Sequence, residues 1–274
     1  MKRRDFMAHS IGASLLAFLT GQEVMARASG RPREQTSGGL SALNPVSKYA
    51  RSYVRPKGVL DASRRQSLTF DVIGWRTGKG RQIVSTPVLG EIIVKRNPLD
   101  GAVEYEATQR LAKTETMTGS FRCLTDRRHS LERWQFEYAL NSKRRNIASM
   151  SRTRQSGRRE GDKIITVTDG AETVSTSSAP LLCRWGLLDA ACRMAELCGP
   201  DDRFTVLHEP AGLRRDQRFR EDRRGALGHG QETSVRTFLQ TGPATVPTHW
   251  IVDSQGRPLF VSVFLMSLAL KAIS

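Results

Sequence analysis

The sequence predicts an α+β, β-rich chain: a mostly antiparallel sheet with one main buried helix. Three observations carry that reading. Apolar and polar residues alternate with a period of two over many short runs, the mark of strands with one buried face. Turn residues such as Asp-Gly, Gly and Pro separate those runs at short intervals, as antiparallel hairpins require. One stretch alone, from about Pro180 to Leu197, carries apolar residues at helical spacing.

Lys2-Arg3-Arg4-Asp5-Phe6-Met7 opens the chain, and a short apolar run, Ile11–Leu19, follows it. Twin arginines with Phe just beyond, a run too short to span a bilayer, and the small-x-small site Ala26-Arg27-Ala28 together read as an export signal of the twin-arginine type. Its marker residues are Arg3, Arg4 and Phe6, and residues 1–28 are set apart from the fold. The competing reading is an ordinary basic N-terminus with a buried helix. Residues 29–60 begin polar, Gly-rich and aperiodic, and are assigned to a flexible linker, with Ser41–Tyr53 as a short helix. Residues 61–274 then make a single β-rich domain, a size that β-rich domains commonly reach.

Within that domain Leu68, Phe70 and Val72 alternate with Thr69 and Asp71. Gln82–Ser85 and Glu91–Lys95 follow as two strands split by Pro87 and Gly90. Val103, Tyr105 and Ala107 alternate after the Asp100-Gly101 turn signal. Trp134, Phe136, Tyr138 and Leu140 give the cleanest alternation in the chain. Lys163–Thr168 and Glu172–Ser175 flank Asp169-Gly170, which has tight-hairpin chemistry. The helix follows, with Gly199-Pro200 as its stop and Leu181, Trp185, Leu188, Cys192 and Ala195 as its stripe. Later strands are Phe204–His208, Ser234–Gln240, His249–Val252 and Leu259–Val263. Between the first two, the arginine-rich Leu213–Gln231 reads as a mobile, solvated loop, or as a binding lid.

The formal net charge is +16 over 274 residues. Removing the signal, with Lys2, Arg3, Arg4 and Arg27 against Asp5 and Glu23, leaves +14. Such a field attracts anionic surfaces and polymers, and solvated charge without a partner is the competing reading. Outside the cytoplasm the relevant polyanions are envelope components, so nucleic acid is not expected. No later stretch reaches the length of a membrane span, so the mature chain is expected to be soluble. Cys123, Cys183, Cys192 and Cys198 allow three full pairings, and no C-x-x-C pair suggests a metal ribbon.

Motifs for chemistry are thin. Arg76-Thr77-Gly78-Lys79-Gly80-Arg81 lacks the strand-to-helix setting and the spacing of a phosphate loop, and reads as a hairpin turn. His208-Glu209-Pro210 lacks a second histidine in ligand spacing, and the other histidines are scattered, so no metal and no cofactor are expected. No G-x-S-x-G elbow occurs, and turn chemistry accounts for Asp253 beside His249. No catalytic residue is assigned.

One resemblance rests on layout. The helix is entered through Ser177-Ser178-Ala179-Pro180-Leu181-Leu182-Cys183-Arg184-Trp185, and the later strands end in His249-Trp250-Ile251-Val252-Asp253-Ser254-Gln255-Gly256-Arg257-Pro258-Leu259-Phe260. Behind a cleaved signal, this arrangement resembles bacterial envelope proteins laid out like the periplasmic lipoprotein carriers. The resemblance implies a strongly curved open half-barrel whose hollow is covered by helix, although carriers have several helices where this chain shows one. The expected fold is then a curved, mostly antiparallel half-barrel with one main buried helix.

The expected ligand-binding set is Trp134, Phe136, Tyr138, Trp185 and Trp250, lining a groove between sheet and helix. The competing reading makes these large core residues. The function expected is an exported periplasmic or secreted protein that binds a lipid-like or anionic envelope component without chemistry. A periplasmic hydrolase and an accessory subunit of an exported complex are the alternatives. Its other expected partner is the twin-arginine export machinery.

Overall fold

Alternation of apolar residues produces strands here because each run must bury one face while its backbone groups find partners in a neighbouring strand. The computed structural model describes residues 53–77, 83–111, 114–144, 147–190, 196–199, 201–208, 212–227, 233–243, 245–263 and 266–274. Arg3, Arg4, Phe6, residues 29–52 and Cys192 lie outside the described residues. The strands are β1 (Gln66–Thr77), β2 (Ile83–Leu99), β3 (Ala102–Leu111), β4 (Glu115–Leu124), β5 (Leu131–Arg144), β6 (Ile147–Glu160), β7 (Lys163–Thr168) and β8 (Ala171–Thr176). After them come β9 (Leu181–Cys183), the helix α1 (Arg184–Asp189), β10 (Phe204–His208), β11 (Gly212–Leu227), β12 (Thr233–Thr241), β13 (Thr248–Asp253), β14 (Pro258–Val263) and β15 (Met266–Ile273).

All fifteen strands lie in one sheet, in the order β8-β7-β6-β5-β4-β3-β2-β1-β15-β14-β13-β12-β11-β10-β9. The chain runs outward along one wing from β1 to β8, then returns along the other wing from β9 to β15. The wings meet where β1 pairs antiparallel with β15, Leu68 opposite Ile273 and Val72 opposite Leu268. Every described pairing is antiparallel except β9 with β10. The sheet is curved and open: it is not closed into a barrel by a backbone ladder. Side chains bridge the approach of its two wings instead, with Ser177 Oγ 3.1 Å from Thr205 Oγ1 and Arg215 donating to the Thr176 carbonyl.

This topology explains where the helix lies. The chain passes from β8 at one edge to β9 at the other through residues 177–180, and α1, which follows β9 directly, lies against the inner face. Trp185 and Leu188 are buried there, and Trp185 meets Phe136 edge-on at 5.3 Å. The inner face continues through Leu68, Phe70, Val94, Tyr105 and Phe121 on one wing and Phe219, Phe238, Trp250 and Phe260 on the other. Glycine makes two of these contacts possible. A Cβ on Gly119 would stand 2.0 Å from Phe136 Cδ1, and one on Gly157 would stand 2.2 Å from Trp134 Cζ2.

Three expectations are corrected. Leu181–Cys183 is a strand, not the first turn of a long helix, because its backbone pairs in parallel with Thr205–Leu207. Among the described residues the helix spans Arg184–Asp189, and residues 191–195 lie outside them. The arginine-rich segment is strand β11, not a solvated loop: Gln217 and Phe219 point inward while Arg218 and Arg220 point out. Ile83–Ser85 and Glu91–Lys95, expected as parts of two strands, belong to a single strand, β2, which runs through Pro87 and Gly90, with register shifts on either side of Ile73; Gln82 lies outside the described residues.

Residues 53–60 hold no regular element but are tied to the sheet. Tyr53 packs against Phe260 with centroids 4.6 Å apart and rings tilted by 59°, and buried Arg257 donates to the carbonyls of Pro56 and Gly58. Arg257 is itself held by Asp253 at 2.7 Å, across the turn in which Gly256 takes a φ of +78°. Among the described residues, no helix is long and apolar enough to cross a membrane.

Candidate functional site

Two polar clusters flank α1, one at each end. At its last residue, Asp189 accepts from Arg96 Nη1 at 3.2 Å and from the Tyr105 hydroxyl at 2.6 Å. Tyr105 gives its one proton to Asp189, so the 2.6 Å contact between its oxygen and His129 Nε2 requires the imidazole to donate. Arg96 also donates to the carbonyls of Ala62 and Asp61. His129 reaches this cluster from the β4–β5 loop with a φ of +55°, uncommon for a non-glycine residue. That loop is fastened from outside, since Arg127 and Arg128 both bind Asp202, at 3.2 and 3.0 Å. Burial, then Asp189, pushes the Tyr105 hydroxyl well above its ordinary range, and the Cys123 thiol rises for the same two reasons. Neither ionises near neutral pH, so this end holds the helix in place and offers no nucleophile.

The first residue of α1 sits among different company. Arg184 Nη2 donates to Gln109 Oε1 at 3.5 Å, and Gln109 Nε2 reaches Glu115 Oε1 at 3.4 Å. Pairing of β9 with β10 brings His208 to the same place, and pairing of Val206 with Arg214 brings the second arginine. The electrostatics record their proximity. Burial and then Arg184 lower the Arg214 guanidinium from its ordinary value. Burial, then Arg184 and Arg214, hold His208 well below the usual imidazole range, so it is neutral at neutral pH. Burial raises Glu115 against the pull of Gln109 and Arg184. Tyr138 is pushed up to about 12 by burial and by Glu115.

Four of the five aromatic residues expected to bind a ligand share this wing. Trp134, Phe136 and Tyr138 point inward from β5, and Trp185 faces them from the helix; all four are buried. Trp250 is elsewhere, on the opposite wing, edge-on to Phe219 at 6.1 Å with its Nε1 donating to Gln240 at 3.2 Å. Trp134 Nε1, Tyr138 Oη, Trp185 Nε1 and Gln155 Oε1 are sealed from solvent with no protein hydrogen-bond partner. They lie around Phe136: Gln155 is its cross-strand neighbour, and Trp185 its ring partner. Buried polar atoms of this kind call for a partner such as water or a ligand group.

Arg184, Arg214, Gln109, Glu115 and Gln155 are the residues that the sequence reading missed. A signal existed for two of them. Gln109 and Gln155 occupy the inward phase of their strands, where apolar residues belong. Chemically, the arrangement gathers two guanidinium groups, a neutral imidazole and inward-facing phenol and indole groups, which suits recognition of an anion joined to a less polar body.

The outer face of the same wing carries an open groove of about 820 Å³. Among its lining residues, Lys95 pairs with Glu106 at 3.6 Å and Arg133 with Glu104 at 3.0 Å, and Arg65 donates to Asn97.

Comparison with known proteins adds little beyond this geometry. No protein-family model matches the chain, and no curated protein matches it. Among solved structures it is similar to a β-barrel-like protein of domain of unknown function DUF1849 from Brucella abortus, with 8% identity, a TM-score of 0.44, and coverage of 77% of this chain and 97% of that one.

Proposed function

We propose that the chain is exported through its twin-arginine signal and acts in the periplasm, or as a secreted protein, as a non-enzymatic binder of an anionic envelope component. The ligand's charged group is placed at Arg184 and Arg214, and its less polar body against Tyr138 and Trp185. The observation that carries this reading is the convergence of two arginines beside a neutral histidine at the inner face. Holding two partly buried cations in mutual range is unfavourable, and an anion between them relieves it. The resemblance of the sequence's layout to the periplasmic lipoprotein carriers is in keeping with a ligand seated between sheet and helix. Tyr138 and Trp185 are themselves buried in that space, so the anionic end carries the recognition.

The test is native mass spectrometry of the full chain recovered from the periplasm after export. The expected result is a bound mass released on denaturation, absent from the double variant Arg184→Gln/Arg214→Gln. Short-chain phosphatidylglycerol is then titrated against short-chain phosphatidylcholine, and Trp fluorescence is followed. Preference for the anionic probe, reduced by roughly tenfold or more in the double variant, supports the reading. A bare wild-type mass together with no preference between the two probes would sink it.

A further inference from the structure

The two edges of the sheet are finished in opposite ways. β9 at one end is three residues long and wholly buried. β8 at the other end is six residues, five of them exposed, and among the described residues no strand pairs with its outer side, where Arg215 reaches the last carbonyl, that of Thr176. Natural edge strands are usually blunted by lysine, proline, a bulge or a covering segment. β8, Ala171-Glu172-Thr173-Val174-Ser175-Thr176, has none of the first three, and its register with β7 is unbroken.

Which backbone groups face outward follows from the hydrogen bonds at its end. Ser177 N–H donates inward to the Asp162 carbonyl, whereas the Thr176 carbonyl accepts from Arg215. Successive residues of a strand alternate in this respect. Thus Ala171, Thr173 and Ser175 bond β7, and Glu172 and Val174 hold their N–H and C=O groups out. Asp169 and Gly170, at φ +48° and +87°, form the tight turn that fixes this parity. Val174 is 53% exposed, next to Ile165 across the ladder.

We propose that β8 is an interaction edge for a second copy of this chain, paired antiparallel about a twofold axis at Thr173. The edge is self-complementary in one register. With the axis at Thr173, Glu172 exchanges both backbone bonds with Val174 of the second copy, and the symmetric pair doubles them to four. The threonines then face each other as a favourable cross-strand pair. An axis at Glu172 sets two carboxylates directly opposite, which is unfavourable. An axis at Val174 sets Glu172 against Thr176, whose carbonyl is already taken by Arg215. A single short strand buries less than the roughly 1,200 Å² of a stable interface, so the dimer is weak and forms with rising concentration. Pairing would join two fifteen-stranded sheets edge to edge and leave both anion sites untouched.

Sedimentation velocity of the full exported chain over a concentration series reads the outcome. Wild type shifts from monomer toward dimer. Val174→Pro, which removes an N–H facing outward and no bond to β7, stays monomeric with an unchanged far-UV spectrum. Cysteine trapping covers the case in which that variant folds poorly. Thr173→Cys gives a disulfide-linked dimer under mild oxidation, whereas Val174→Cys, facing Glu172 in this register, gives none beyond the wild-type background. A wild type monomeric throughout overturns the proposal, as does a dimer that Val174→Pro leaves unchanged or trapping that favours Val174→Cys. None of these readings depends on whether an anion binds at Arg184.

Discussion

The two ends of the six-residue helix are about as different as two polar clusters in one hollow can be. At Asp189 the charges are opposite in sign: Arg96 and Tyr105 donate to it at 3.2 and 2.6 Å, and His129 meets the Tyr105 hydroxyl at 2.6 Å. At Arg184 a like charge, Arg214, and an opposite one, Glu115, both act, and Tyr138 Oη and Trp185 Nε1 nearby lack protein partners. A buried ion pair with its hydrogen bonds met is a device for position. A gathering of like charges beside unmet polar atoms costs stability, and natural chains keep such arrangements where they serve a site. The contrast teaches that charge in a hollow is not one signal. Its sign balance and the state of its neighbours separate scaffold from site.

The largest effect should come from breaking the scaffold end. Asp189→Ala leaves Arg96 as a buried cation with only carbonyl acceptors and strips Tyr105 of its acceptor. Loss of one member of a buried pair costs about 3–5 kcal/mol. The checking measurement is the urea midpoint, with the slope held constant to show that the same transition is being compared. Asp189→Asn should cost less, because its amide oxygen can still accept from Tyr105. If Asp189→Ala unfolds within about 1 kcal/mol of wild type, the network does not hold the helix and the comparison fails.

Much of this architecture was legible in the sequence, but not evenly. Period-two runs such as Trp134-Phe136-Tyr138 on β5 announced themselves, since one face is apolar without exception. β11 did not, because arginines fill both phases of the strand and only Gln217 and Phe219 mark the inward one. The helix was overread for a related reason. Leu181, Leu182 and Cys183 are all buried, and a fully buried run has no period that separates strand from helix. Their state is decided by pairing with Thr205–Leu207, about twenty residues away, which no local pattern records. The candidate site was half legible. Its aromatic residues could be picked out by size and phase. Arg184 and Arg214 meet only because β10 pairs with β9 on one side and β11 on the other, and nothing in their spacing shows it.

A middle-sized effect sharpens the site end. The folded-state pKa of His208 is depressed well below its ordinary value near 6.5, chiefly by burial and then by Arg184 and Arg214. The unfolded chain therefore binds a proton more readily than the folded one. Stability attached to this residue is fully present above pH 6.5 and is lost as pH falls below it. His249 is shifted in the same direction by burial, so the diagnostic is a difference between variants rather than the wild-type curve alone. His208→Phe should flatten the loss of stability between neutral pH and pH 5 relative to wild type. The measurement is thermal unfolding at both pH values, and an identical slope in the two proteins would remove His208 from the cluster.

The smallest effect is the most discriminating. Arg214→Met keeps the length of the side chain and its packing while removing one of two mutually opposed charges. At the Asp189 end the loss of a charge is destabilising. Here the variant should match wild type or gain up to about 1 kcal/mol, because burial and Arg184 both work against the charged form of Arg214. Its affinity for the anionic probe should fall at the same time. Stability and binding would then move in opposite directions from one substitution, which a purely structural arginine cannot produce. If Arg214→Met instead loses several kcal/mol in denaturant titration, Arg214 belongs with Asp189 as scaffold, and the two ends of the helix are the same kind of place.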